Sequence, residues 1–372
     1  MRETSSGAEA AILVSIDFGT SDHSESLAEL RQLAETAGVG TLAIIEAKRQ
    51  RPDAALFAGS GKIQEIAEIV ERLEAPLVIF NHDLSPAQMR NLTARLNTRV
   101  IDRTMLILDI FAQRAQSHEG KVQVELAQLK YLATRLVGQG VGMGQQKFAV
   151  GARGPGETKL ELDRRKLDKR VHFLKDRLEK LKHQREVQRR ARNRADVLSV
   201  SIVGYTNAGK STLFNRLTRA DAYVANQLFA TLDTTSRRMF TEKQGEIVVS
   251  DTVGFIRHLP HSLIAAFRST LEETVLADLL LHVVDANNVN CDDQIEEVNK
   301  VLAEIGAANT PQILVFNKID LKDATPSVER DDYGRIVRIF LSAQSGAGLE
   351  NLRLALDEAQ AARQAHPTME QT

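Results

Sequence analysis

Gly204-Tyr205-Thr206-Asn207-Ala208-Gly209-Lys210-Ser211 decides the fold of this chain. It reads G-x-x-x-x-G-K-S. The apolar run Val197–Val203 before it has the character of a buried strand, and Thr212–Leu217 after it has helical spacing. Strand, glycine loop and helix in that order make a phosphate-binding loop. Glycines let the backbone curl so that several N–H groups converge on phosphate oxygens, and the helix N-terminus adds positive dipole. The Lys210 ammonium reaches toward β- and γ-phosphates, and the Ser211 hydroxyl is placed to ligate Mg²⁺. The whole run Gly204–Thr212 is therefore expected to line the nucleotide.

The rest of the chain supplies partners for that loop in the right order. Ile247–Ser250 reads as a strand ending in Asp251-Thr252-Val253-Gly254. Asp251 is suited to hold Mg²⁺ through water, and Gly254 offers an N–H to a γ-phosphate. A polar connection, Asp221 to Arg237, contains Phe229-Ala230-Thr231-Leu232-Asp233-Thr234-Thr235. A threonine there would complete the Mg²⁺ shell with Ser211 and Asp251. Thr231 is preferred and Thr234 and Thr235 are rivals, which makes the connection a switch ordered by γ-phosphate. Lys210, Thr231 and Gly254 are the expected catalytic groups. Further strands lead into Asn317-Lys318-Ile319-Asp320 and Ser342-Ala343-Gln344. The Asp320 carboxylate accepts from guanine N1–H and its exocyclic amine, which adenine cannot offer. Asn317 ties the loop together, the Lys318 stem covers the base, and the Ala343 N–H is expected to meet guanine O6. Phe255 follows Gly254, where many GTPases place a glutamine that orients water. The water must then be positioned by another residue, a potassium ion or a partner, and slow intrinsic turnover is expected. Arg257 and His258 read as surface residues.

Composition limits what else the chain does. Over 372 residues it is 43% hydrophobic and 26% charged, with a net charge of −1. These values suit a globular protein of two or three domains, and any charge signal must be local. One cysteine, Cys291, excludes an intrachain disulfide and fits a reducing cytoplasm. The nine histidines are scattered, so no zinc site is expected. The polar start and the short apolar runs argue against a signal peptide or membrane span.

Residues 10–118 alternate strand and helix patterns, which predicts a small parallel α/β unit. Strands are expected at Ala11–Ile16, Thr41–Ala47, Pro76–Phe80 and Arg99–Asp102, the last followed by a helix to about Ser117. Gly59-Ser60-Gly61-Lys62 precedes a helix but lacks full loop spacing, and reads as a glycine turn with a solvated lysine. Residues 119–196 differ. Val122, Leu126, Leu129, Ala133 and Leu136 form one heptad stripe; Leu160, Leu167, Val171, Leu174, Leu178 and Leu181 form another. Between them, Gly138 to Gly156 holds seven glycines. This predicts an antiparallel, coiled-coil-like hairpin with a glycine-rich tip. Its second helix is basic. Lys159 to Arg194 carries 15 Lys and Arg against 6 Asp and Glu, a balance of +9 that leaves −10 for the rest. Contact with a phosphate backbone is the natural use of such a face, by shape rather than base stacking. Residues 197–363 are expected to form a P-loop GTPase domain with a doubly wound, mostly parallel sheet. Residues 364–372 are expected to be a disordered tail.

With these residues assembled, the chain resembles the HflX family of translational GTPases. The most specific match is Gly154-Pro155-Gly156-Glu157-Thr158-Lys159-Leu160-Glu161-Leu162-Asp163-Arg164-Arg165, beside Phe229–Asp233 and Asp251–Ile256, and the missing glutamine is shared. The glycine-rich Gly138–Gln146 fits less closely, and no long C-terminal extension is expected. The resemblance implies binding to the large ribosomal subunit and its RNA through the basic hairpin 138–194. It implies dissociation or rescue of stalled or idle ribosomes under stress, by a cytoplasmic protein that is monomeric off the ribosome and does not use DNA. Two other readings are a nucleotide-gated scaffold whose heptads bind a protein, and an RNA-remodelling or ribosome-assembly factor with ATP activity near Gly59–Lys62. The tract Arg189–Arg194 disfavours the first, and the second rests on a weak glycine turn.

Overall fold

The computed structural model describes residues 10–20, 22–136, 159–193, 197–218, 227–241 and 245–365. The glycine-rich loop 138–156, the first part of the polar connection and the tail from 366 lie outside the described residues. Two compact units emerge. One holds the chain up to Gln113 with Val122–Arg177; the other holds Arg114–Lys121 with Leu178 onward.

In the first unit, β1 (Ala10–Asp17), β2 (Gly40–Lys48), β3 (Leu77–Phe80) and β4 (Arg99–Asp102) form an all-parallel sheet in the order β2-β1-β3-β4. Helices α1 (His23–Thr36), α2 (Ser60–Leu73), α3 (Pro86–Leu96) and α4 (Arg103–Arg114) alternate with the strands. Parallel strands covered on both faces read as continuous apolar runs, and Ala11–Val14 are all fully buried. Ser85 starts α3 as expected, with a reciprocal Ser85–Gln88 capping box and Pro86 in the first turn. The helix after β4 stops at Arg114, short of the expected Ser117, and α5 (His118–Leu136) begins afresh. α6 runs Lys159–Asn193. Arg170 binds both carboxylate oxygens of Glu125 at 2.7 and 2.9 Å, which sets α6 beside α5. Val122 and Leu126 of the first heptad stripe and Leu174 of the second are buried.

The second unit is built on a seven-stranded sheet, β10-β11-β9-β8-β5-β7-β6. Its strands are β5 (Leu198–Gly204), β6 (Thr235–Thr241), β7 (Gly245–Asp251), β8 (Leu279–Asp285), β9 (Gln312–Asn317), β10 (Ser327–Arg330) and β11 (Ile336–Phe340). Only β6 and β10, at the two edges, run antiparallel to their neighbours. Neither was expected: the polar connection ends in β6. α7 (Lys210–Thr218), α8 (His261–Ala266), α9 (Arg268–Val275), α10 (Cys291–Ile305) and α11 (Leu349–Ala365) complete it. α11 takes in Gln364 and Ala365, two residues beyond the expected start of the tail. The core between sheet and helices includes Val200, Ile202, Leu213, Phe214, Leu281, Val283 and Leu356.

His282 sits inside this core on β8, 1% exposed. Burial holds its imidazole neutral, with the pKa pushed down to about 4 against opposition from a Gln312 hydrogen bond. Between pH 6.5 and 4 the unfolded chain therefore binds a proton that the folded chain refuses, and stability falls as pH falls through that window. The loss attributable to this group reaches about 3 kcal/mol at the acid end. His282→Leu is expected to flatten the pH dependence of urea unfolding between pH 7 and 4, and an unchanged slope would contradict this assignment.

Candidate functional site: a phosphate loop, a hydroxyl–carboxylate cluster and a base loop

β5 ends in the glycine loop and α7 starts from it. Gly204 has φ +144°, and a Cβ there would lie 2.2 Å from the Val283 carbonyl oxygen. Gly209 has φ +94°, and its Cβ would lie 2.2 Å from Asn317 Nδ2. Only glycine permits both the backbone angle and the approach. Asn207 also adopts the left-handed conformation, at φ +62°. The loop borders an open cleft whose walls include Thr206, Asn207, Lys210, Ser211, Thr231 and Gly254. Thr212, Phe229, Ala230 and Thr252 also face it. Lys210 is buried and its ammonium donates to the Tyr205 carbonyl at 2.8 Å. Burial pushes its pKa down to about 8, partly offset by Asp251. A phosphate group in the cleft would reverse that penalty. Gly254 approaches so closely that a Cβ would meet Lys210 Nζ and Thr206 Cγ2, each at 2.8 Å.

Three elements converge at the mouth of α7. Ser211 Oγ lies 2.8 Å from Thr231 Oγ1, and both hydroxyls donate to Asp251 Oδ2, at 2.8 and 2.9 Å. The other carboxylate oxygen, Asp251 Oδ1, is buried with no hydrogen-bond partner. Burial raises the Asp251 pKa, against Lys210 and the two hydroxyls. Two hydroxyls, a buried carboxylate and an orphaned oxygen form the hard-oxygen donor set that a Mg²⁺ with retained waters takes, so the residues fit that ion. Of the three candidate threonines, Thr231 lies beside Ser211. Thr235 instead opens β6, paired with Asp251 across the ladder. Phe229, at φ +53° and 2% exposed, makes the bend that precedes Thr231.

The base loop is braced from several sides. Asn317 Nδ2 donates to the Ala208 carbonyl at 2.9 Å, tying β9 to the glycine loop. Lys318 adopts φ +67°, and its ammonium pairs with Asp285 at 2.7 Å. Asp320 stands exposed in the 3-10 turn Ile319–Lys322. Ser342 and Ala343 are buried, and Gln344 is exposed. One expectation is corrected: the Ala343 N–H is donated to Asn317 Oδ1 at 2.8 Å, so it is not standing free for guanine O6. Sequence reasoning missed Arg216, which donates from α7 to the carbonyls of Ala343 and Gln344 at 3.1 and 2.5 Å. It also missed Gln227, which faces the cleft.

Phe255 explains its own identity. Its N–H donates to the Gly204 carbonyl at 3.2 Å, and its carbonyl accepts from Thr206 N–H at 2.7 Å. This bridge stitches the segment to the glycine loop, and the ring is 1% exposed. The position is a packing position. Phe255→Gln is accordingly expected to leave intrinsic turnover unchanged. It should lower stability by about 1–3 kcal/mol, because an amide replaces a ring in the core. A melting curve with a turnover assay checks both; a faster variant would contradict the packing role. Arg257 is corrected too: it is 7% exposed, and its N–H donates to the Tyr205 hydroxyl at 2.8 Å. His258 is exposed as expected. In the first unit, Lys62 pairs with Glu65 at 2.8 Å, and a Cβ on Gly59 would strike Arg49, so that glycine turn is already occupied by its own side chains. Among the described residues no helix is long and apolar enough to cross a membrane, and no cluster of three or more His, Cys, Asp or Glu side chains could hold a metal.

A glycine loop, a hydroxyl–carboxylate cluster and a braced N-K-x-D loop at the ends of a mostly parallel sheet define a P-loop GTPase. Family models match along the chain: a GTP-binding GTPase N-terminal region at residues 24–112, its middle region at 114–192, and a 50S ribosome-binding GTPase at 199–318. The GTPase HflX of Escherichia coli (strain K12) is 55% identical over 94% of this chain and 82% of its own length. The GTPase HflX of Caldanaerobacter subterraneus subsp. tengcongensis is 48% identical over 96% and 82%. The chain belongs to the HflX family of GTPases. A crystal structure of SsGBP in complex with GDP, 26% identical, covers 95% of this chain and 99% of its own with a TM-score of 0.52.

Proposed function

We propose that this GTPase binds the large ribosomal subunit and couples its nucleotide state to the dissociation or rescue of stalled or idle ribosomes in the cytoplasm. The observation that carries the reading is the pairing, in one chain, of a GTP switch with the +9 balance of Lys159–Arg194. A cationic helix of that density is suited to ribosomal RNA phosphates. The likeness to a 50S ribosome-binding GTPase model supports the same partner.

At the nucleotide, Lys210 and the N–H groups of Gly204–Thr212 bind phosphate, while Ser211, Thr231 and Asp251 would hold Mg²⁺. That ion would neutralise charge developing between β- and γ-phosphates. The Gly254 N–H meets the γ-phosphate, and Asp320 reads guanine. The packing of Phe255 leaves the attacking water without its usual orienter, so turnover is slow until the ribosome arrives.

Cosedimentation with purified subunits, together with turnover across a ribosome titration, tests the reading. Turnover is expected to rise by about tenfold or more, in line with GTPases completed in trans. The large subunit should pellet the protein with a non-hydrolysable GTP analogue, and light scattering should report splitting of idle ribosomes. A flat rate across the titration would overturn the proposal. Charge reversal at Arg189, Arg190 and Arg192 should reduce the slope of log affinity against log salt by about two.

A further inference from the structure

The segment Arg114–Lys121 clusters with the GTPase, not with the rest of the helices on either side of it. The contact is specific. Asp233 Oδ2 accepts the N–H groups of Gln116 and Ser117, both at 2.7 Å, and Asp233 Oδ1 accepts the Ser117 hydroxyl at 2.5 Å. The same hydroxyl accepts Gly120 N–H at 2.8 Å, and the Ser117 carbonyl accepts Lys121 N–H at 3.1 Å. Ser117 is therefore the capping residue of α5, and Asp233 is the acceptor that holds the cap. A carboxylate here also meets the positive end of the α5 dipole. Gly120 leaves room for it: a Cβ there would lie 2.1 Å from Asp233 Oδ1. Arg114, four residues before His118, donates to Gln227 on the wall of the nucleotide cleft.

Asp233 follows Thr231 by two residues, a span of at most about 7 Å. Between them Leu232 is 2% exposed and fixed in the core. Thr231 cannot leave Ser211 and Asp251 without drawing on Asp233. We infer that Asp233 is a positioning residue that reports the nucleotide state to the start of the hairpin: its carboxylate clamps the α5 cap while the switch is ordered, and the clamp opens when γ-phosphate is lost. The inference rests on the role given to Thr231 above and needs no ribosome.

Hydrogen–deuterium exchange on the full chain tests it. Peptides covering residues 114–121 are compared with Mg²⁺·GDP and with Mg²⁺ and a non-hydrolysable GTP analogue. The analogue should slow exchange there by about tenfold or more, the size expected of charge-assisted hydrogen bonds. Asp233→Ala should abolish that difference while both nucleotides still bind. Gly120→Ala attacks the clamp from the helix side with a residue that favours helix, and should do the same. Equal exchange in the two nucleotide states of the unaltered protein would overturn the inference, as would a difference that survives Asp233→Ala. A difference lost in Asp233→Ala but kept in Thr231→Ala would uphold the clamp and reject the Thr231 assignment alone.

Discussion

Asp320→Asn is expected to bind GTP on the order of 1,000-fold more weakly and to accept xanthine nucleotide in its place. The carboxylate at position 320 presents acceptors only, and guanine offers N1–H and the exocyclic amine. An amide replaces one acceptor with a donor, which would face the amine and leave both unpaired. Xanthine carries a carbonyl where guanine has that amine, so it restores the pair. The loop around Asp320 should survive the change. Asn317 is anchored to Ala208, Lys318 to Asp285, and the Ile319 N–H to the Leu341 carbonyl at 3.4 Å, none through the Asp320 side chain. Fluorescent-nucleotide titration with GTP and XTP reads the result. Undiminished GTP affinity would remove Asp320 from the base site.

Thr231→Ala should lower single-turnover GTP hydrolysis by about a hundredfold or more, close to 3 kcal/mol of transition-state stabilisation. GDP affinity should stay within about threefold, because in the proposed role the threonine would join the Mg²⁺ shell only while γ-phosphate is present. The hydroxyl at position 231 is the one that meets Ser211 and Asp251 at 2.8 and 2.9 Å. Thr235 is committed to the β6 ladder opposite Asp251. Thr234→Ala and Thr235→Ala are therefore expected to retain hydrolysis within about threefold of the unaltered protein. Near-normal turnover in Thr231→Ala, or an equal loss in either neighbour, would move the metal ligand elsewhere.

The Ala343 N–H, which the motif points toward guanine O6, is donated to Asn317. A four-residue motif names the residues of a loop but not which neighbour takes each hydrogen bond. Arg216 shows the same gap from the other side. Nothing about an arginine on the outer turn of α7 marks it as the brace of a loop some 127 residues later.

The parallel strands of both sheets, the phosphate loop and the order of the nucleotide motifs were legible in the residues alone. Buried parallel strands must be apolar throughout, and glycine is required wherever the backbone turns left-handed or approaches a phosphate. The sequence by itself left β6 as a polar connection, because an edge strand shows a face to water: Arg238 and Phe240, two apart on one face, are exposed, while Met239 on the other face is buried. Three further things depend on folding. Thr231 meets Ser211 and Asp251, which come from two other elements. Phe255 became a packing residue because its backbone bridges to Gly204 and Thr206. Asp233 was joined to Ser117 across 116 positions of sequence. No periodicity encodes such a pairing: a carboxylate and a helix cap each look complete alone, and only folding brings them within a hydrogen bond.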